Sequence, residues 1–184
     1  MVRICSSFRL RQLGKSGIAE LALFFKPYLT KRPCLYTLNS SIFRMETDQS
    51  LLKRCPWCLG FPEYVTYHDT EWGVPVHDDR VHFEFLVLES AQAGLSWATV
   101  LKKREGYRKA FADFDYRIVA EFPESYVQEL LQDAGIIRNA QKIRAAVNNA
   151  QRFMEVQQEF GTFSTYIWRF VGGKPKINSL HRGQ

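Results

Sequence analysis

The sequence predicts an all-α domain. From residue 78 onward apolar residues recur at helical spacing. Aspartate or serine stands where helices would begin, and glycine where they would end. No segment shows the strict apolar/polar alternation of a half-buried strand.

The elements follow in order. Asp78 or Asp79 can cap a helix through VHFEFLVLESAQA, with Val81, Phe85 and Leu88 on one face and Gly94 as its stop. Ser96 can cap a helix through SWATVLKKREGYRKAF, and Asp115 a short one in DYRIVAEF. ESYVQELLQDAG reads as a helix with Gly135 just past its end. After a tight hairpin, RNAQKIRAAVNNAQRFMEVQQEFG reads as a long helix ending near Gly161. FSTYIWRFVGG is the last, closed by Gly172 and Gly173, and a polar, basic tail follows.

Composition bounds the function. The 184 residues are 46% hydrophobic and 14% aromatic, enough for one domain with a real core. No apolar run approaches the length of a membrane span. The formal charge is +6, but residues 1–53 hold nine Lys/Arg against three Asp/Glu, while residues 54–184 hold sixteen of each. Net basicity therefore does not argue that the folded part binds nucleic acid. Residues 1–44 read as a basic segment outside the domain: a start placed too far upstream of Met45, a targeting sequence, or a subdomain of its own. Residues 45–178 form the domain and 179–184 the tail. Cys5, Cys34, Cys55 and Cys58 form no disulfide framework, which points to a reducing compartment.

Four features carry possible chemistry. Cys55-x2-Cys58 with His68 has the spacing of part of a zinc site, and equally fits two thiols without a metal. Trp57, Tyr64, Tyr67, Trp72 and Trp97 are either core or the walls of a pocket for a flat ligand. Glu89 lies among Phe85, Leu86 and Ala93 at helical spacing, so partial burial is expected, and a cationic ligand would compensate it. The hairpin around Gly135, followed by Arg138, Lys142 and Arg144, suits phosphate, with Lys102, Lys103 and Arg104 as a second basic cluster. The same pattern fits an ordinary helical hairpin with a solvated basic face.

Together RCPWC, YVTYHDTEWGVP, LESAQAGLSWATVLKKRE and DAGIIRNAQKI resemble the type I 3-methyladenine DNA glycosylases, from about Arg54 to Lys176. The resemblance implies an all-α helix-hairpin-helix glycosylase domain that removes 3-methyladenine from alkylated double-stranded DNA in base-excision repair. Glu89 would read the edge of the extruded base, Tyr67 and Trp97 would flank its ring, and Tyr64, Trp57 and Trp72 would complete the pocket. Leu95 would wedge into the DNA, and the hairpin from Gly135 through Arg138 to Lys142 would grip phosphates. No lysine stands where a Schiff base would form, so the expected enzyme is a monofunctional hydrolase. The resemblance also implies one structural zinc, held by Cys55 and His68 together with ligands in a C-terminal third that the quoted strings do not include. The site would then be incomplete in this chain, with Cys58 or His181 as substitutes. The expected protein is a cytoplasmic monomer, unless residues 1–44 act as a transit peptide. The rival readings are a catalytically dead or truncated DNA-binding fragment and a small zinc adapter built on Cys55, Cys58 and His68.

Overall fold

The computed structural model describes residues 30–31 and 54–177. The expectations for residues 1–44 and 179–184, and for His181, lie outside these apart from Thr30–Lys31. Among the described residues the fold is helical. The exceptions are β1 (Thr30–Lys31) and β2 (Lys176–Ile177), which pair in parallel over two residues.

Eight α-helices follow the Cys55 segment: α1 (Pro62–Thr70), α2 (Asp79–Gln92), α3 (Trp97–Leu101), α4 (Arg104–Ala110), α5 (Tyr116–Ala120), α6 (Glu124–Leu130), α7 (Ala140–Phe160) and α8 (Phe163–Trp168). Their starts obey the capping signals. Asp78 accepts from the N–H groups of Arg80 and Val81, Ser96 from Thr99, Asp115 from Arg117 and Asn139 from Lys142.

The axis of the domain is α2. Residues 82 to 88 are all buried, so the expected single apolar face is replaced by a helix enclosed on every side. α7 is amphipathic in the expected manner, burying Ile143, Ala146, Ala150, Phe153 and Val156 against α2, α5 and α8. Phe83, Phe111, Phe114, Phe153, Ile143 and Ile167 fill the main core. Asp79 joins the start of α2 to that of α8, since its carboxylate accepts from the N–H groups of Phe163 (2.9 Å) and Ser164 (2.8 Å) and from Gln157 (2.6 Å).

Two predicted elements change. The segment expected as one helix after Ser96 divides into α3 and α4 at Lys102–Lys103. The break allows Gly106 of α4 to lie against the hairpin, where an added Cβ would stand 2.2 Å from the Gly135 carbonyl oxygen. Gly135 is not a helix-ending residue, because α6 stops at Leu130 and Gly135 is absent from the positive-φ glycines. Close backbone approach is its physical role, with its N–H bonded to the Asp133 carboxylate at 2.6 Å.

Candidate base-binding site

A second, smaller core lies beside the first. Tyr67 of α1, Phe85 of α2 and Leu101 of α3 are buried together, packed by Phe61, Tyr64, Trp72, Val81 and Trp97. Tyr64 and Tyr67 share one side of α1 because they are three residues apart. Phe85 stacks on Trp97 with centroids 6.2 Å apart and meets Tyr67 at 6.3 Å. Glu89 is half-buried and lies one turn beyond Phe85 on the same side of α2. The partial burial expected from its neighbours is therefore present.

The slot expected between Tyr67 and Trp97 is closed in this structure. Their centroids are 5.4 Å apart and their planes are tilted by 53°. A base sandwiched between parallel rings needs about 7 Å, twice a van der Waals contact. The indole N–H of Trp97 is buried with no acceptor among the described residues, leaving a donor for a bound ligand.

Trp57 and Trp72 extend this cluster toward His68. They surround the His68 imidazole, Trp72 stacked at 5.3 Å and Trp57 edge-on at 5.2 Å, and Trp57 reaches Tyr64 at 5.0 Å. His68 Nδ1 bonds the Asp69 carboxylate at 2.9 Å, and Asp69 is in turn held by Arg54. The hydrogen bond to Arg54, stronger than the opposing effect of burial, lowers the Asp69 carboxyl below its usual range. The backbone N–H of Cys55 points to His68 Nε2 at 3.5 Å. That places the proton on Nδ1 and the lone pair on Nε2, facing the Cys55 segment, as a metal-ligating histidine is oriented. Cys55 and His68 lie side by side, but the Nε2 lone pair accepts the Cys55 N–H, a bond that a metal on Nε2 would have to displace. Cys58 is buried, and its thiol donates to the Cys55 carbonyl. Among the described residues no three His, Cys, Asp or Glu gather as a metal site, so the adapter built on Cys55, Cys58 and His68 has no structural support.

The expected DNA-facing residues separate into three groups. Leu95 is 40% exposed, in the turn after α2 that Gly94 makes with φ +79°. Arg138 is exposed beside the hairpin. Lys142 instead turns inward, donating to the carbonyls of Ala91 (2.8 Å) and Ala93 (2.7 Å). The second basic cluster is used within the fold. Lys102 lies over the Phe61 ring, Lys103 donates to the Ala134 carbonyl, and Arg104 is paired. Arg144 pairs with Glu124 on the surface.

Sequence reasoning missed the residues that brace the site. Arg104 grips both Glu71 oxygens, at 2.7 and 2.8 Å, and bonds buried Glu84 at 2.7 Å, so one guanidinium joins the end of α1 to α2 and α4. Burial opposes its charge, and hydrogen bonds to Glu71 and Glu84 outweigh that and raise its pKa. The signal was faint, because three acidic and basic residues scattered over 33 positions look like ordinary surface charge.

Comparison with known proteins gives one answer. The family model for methyladenine glycosylase matches residues 57–184. The DNA-3-methyladenine glycosylase 1 of Escherichia coli (strain K12) is 47% identical over 126 residues, 68% of this chain and 67% of that protein. The DNA-3-methyladenine glycosylase of Haemophilus influenzae is 43% identical over 127 residues, 69% of each. A crystal structure of 3-methyladenine DNA glycosylase I superposes with a TM-score of 0.66 at 47% identity, covering 69% of this chain and 70% of that one. The Staphylococcus aureus glycosylase, solved to show how 3-methyladenine is recognised, superposes with a TM-score of 0.64 at 41% identity over 66% and 65% of the two chains. This chain belongs to the methyladenine glycosylase family.

Proposed function

We propose that the chain is a DNA-3-methyladenine glycosylase, excising the damaged base from alkylated duplex DNA during base-excision repair. The observation that carries this, in a member of this family, is the half-buried Glu89 one turn from an aromatic cluster of Tyr67, Phe85 and Trp97.

The chemistry suits these residues. A methylated N3 makes the adenine cationic and already a good leaving group, so no strong general acid is needed. Extruding the base costs a few kcal/mol, offset by Leu95 entering the gap and by phosphate contacts at the hairpin near Arg138. Tyr67 and Trp97 offer their ring faces to the cation once they part. Glu89, as the carboxylate, accepts from the exocyclic amine and favours the charged base over neutral adenine. Water then takes the sugar carbon as the N-glycosidic bond breaks. As a monofunctional hydrolase the protein leaves an abasic site in an uncut strand.

Cys55 and His68 are the residues of this chain that would hold the structural zinc. The ion, when bound, would cross-link the Cys55 segment to α1. Unless residues 1–44 act as a transit peptide, the protein works as a monomer on cytoplasmic DNA.

Incubation with methylated duplex DNA, with released bases resolved by chromatography, tests the reading. Free 3-methyladenine is expected, and Glu89→Gln should slow its release at least about tenfold. Release no faster than without protein overturns the assignment.

A further inference from the structure

Four basic residues stand on or beside the hairpin, and their surroundings differ. Arg138 is exposed, Arg144 is paired with Glu124 at the surface, and Lys103 holds the Ala134 carbonyl. Lys142, in the first turn of α7, reaches across about fifty positions of sequence to the end of α2, where its ammonium bonds the Ala91 and Ala93 carbonyls. These are among the last carbonyls of a helix, which have no partner within it and carry the negative end of its dipole. Ala91 is buried, so water does not readily replace the ammonium there. Burial lowers the Lys142 pKa, consistent with an ammonium withdrawn from solvent.

The place where Lys142 fastens is functionally central. Glu89 lies two residues before Ala91, and Gly94 and the exposed Leu95 directly follow Ala93. At its other end Lys142 belongs to the hairpin, which α4 clamps through the Gly106–Gly135 approach and a hydrogen bond from the Ile137 N–H to the Tyr107 hydroxyl at 3.2 Å. We infer that Lys142 is a positioning residue, and not a phosphate contact. It ties the phosphate-gripping hairpin to the turn carrying Leu95 and to the helix end carrying Glu89, so that DNA seated on the hairpin is in register with wedge and pocket. This rests on the glycosylase reading above.

The test compares wild type, Lys142→Met and Arg138→Met by single-turnover excision at saturating protein and by duplex binding across a salt series. Lys142→Met is expected to lower the excision rate constant roughly tenfold to a hundredfold while the slope of log affinity against log salt is unchanged. Arg138→Met is expected to reduce that slope by about one. A Lys142→Met protein with a reduced slope and a wild-type rate at saturation overturns the inference, because the ammonium would then be a phosphate contact. So does a lower thermal midpoint with an unchanged rate per folded molecule, which would make the bond merely structural. Where the Met variant does not fold, Lys142→Gln decides, keeping an N–H donor without the charge. A rate reduced below wild type with an unchanged slope supports positioning, and a wild-type rate overturns it. Absence of excision by the wild type would instead remove the glycosylase reading itself, leaving the salt slopes to report whether Lys142 meets phosphate.

Discussion

At the scale of single residues, the acids and bases of this domain are sorted by burial. Burial pushes the His82 imidazole down to about 4, against the pull of Asp79, so it folds neutral. Unfolded, it titrates near 6.5, and between those values the unfolded chain binds the extra proton. The stability this maintains is complete above pH 6.5 and is lost as pH falls through 4, by about 3 kcal/mol in all. Urea unfolding at pH 7 and pH 4.5 should show a larger drop for wild type than for His82→Gln; equal drops would contradict it. Arg104→Met leaves buried Glu84 to Arg108 alone and Glu71 without its bidentate partner. A loss of about 3 kcal/mol is expected, and Arg104→Lys should restore little, because an ammonium cannot span both carboxylates in the guanidinium geometry. Denaturant midpoints of the two variants check this. Glu89 was legible in the sequence because its neighbours at helical spacing are apolar. Arg104 was not, because its partners come from two other helices.

At the scale of elements, local signals fixed beginnings better than ends. Asp78, Ser96, Asp115 and Asn139 all cap as their residue type suggests. Gly94 and Gly161 end helices with φ of +79° and +83°, as expected. Gly135 carried the same sequence signal for another reason, visible only once Gly106 is seen against it. A methyl at Gly106 would meet backbone and not a movable side chain, so Gly106→Ala must displace the hairpin from α4. A destabilisation of about 1–3 kcal/mol is expected, with weaker duplex binding and unimpaired binding of free 3-methyladenine. Unfolding midpoints and titrations with each ligand separate these effects. The turn Ala112–Phe114 was equally illegible. Three successive non-glycine residues have φ of 50°, 52° and 56°, a strained turn held by the burial of Phe111 and Phe114 on either side of its middle residue.

At the scale of the whole molecule, two cores meet at one side chain. Trp97 packs both against the main helical core and against the aromatic cluster of Tyr67 and Phe85. Trp97→Ala is therefore expected to lower the thermal midpoint and also to weaken binding of the free methylated base far more than binding of duplex, whose affinity comes mostly from phosphates. Equal losses in the two titrations would remove Trp97 from the pocket. The all-α architecture was legible because helical periodicity is local. The arrangement of the aromatics was not, since nothing local shows that Trp57 and Trp72 also enclose His68. On the proposed base-binding role, the shut contact between Tyr67 and Trp97 would bear on fidelity. Every incoming purine faces the same toll of separating two rings that already satisfy each other. An uncharged adenine regains only ordinary stacking, whereas a purine bearing positive charge also gains attraction to the exposed π-electrons and to Glu89. Undamaged bases, vastly more numerous in a genome, would thus be turned away on admission, before any bond is at risk.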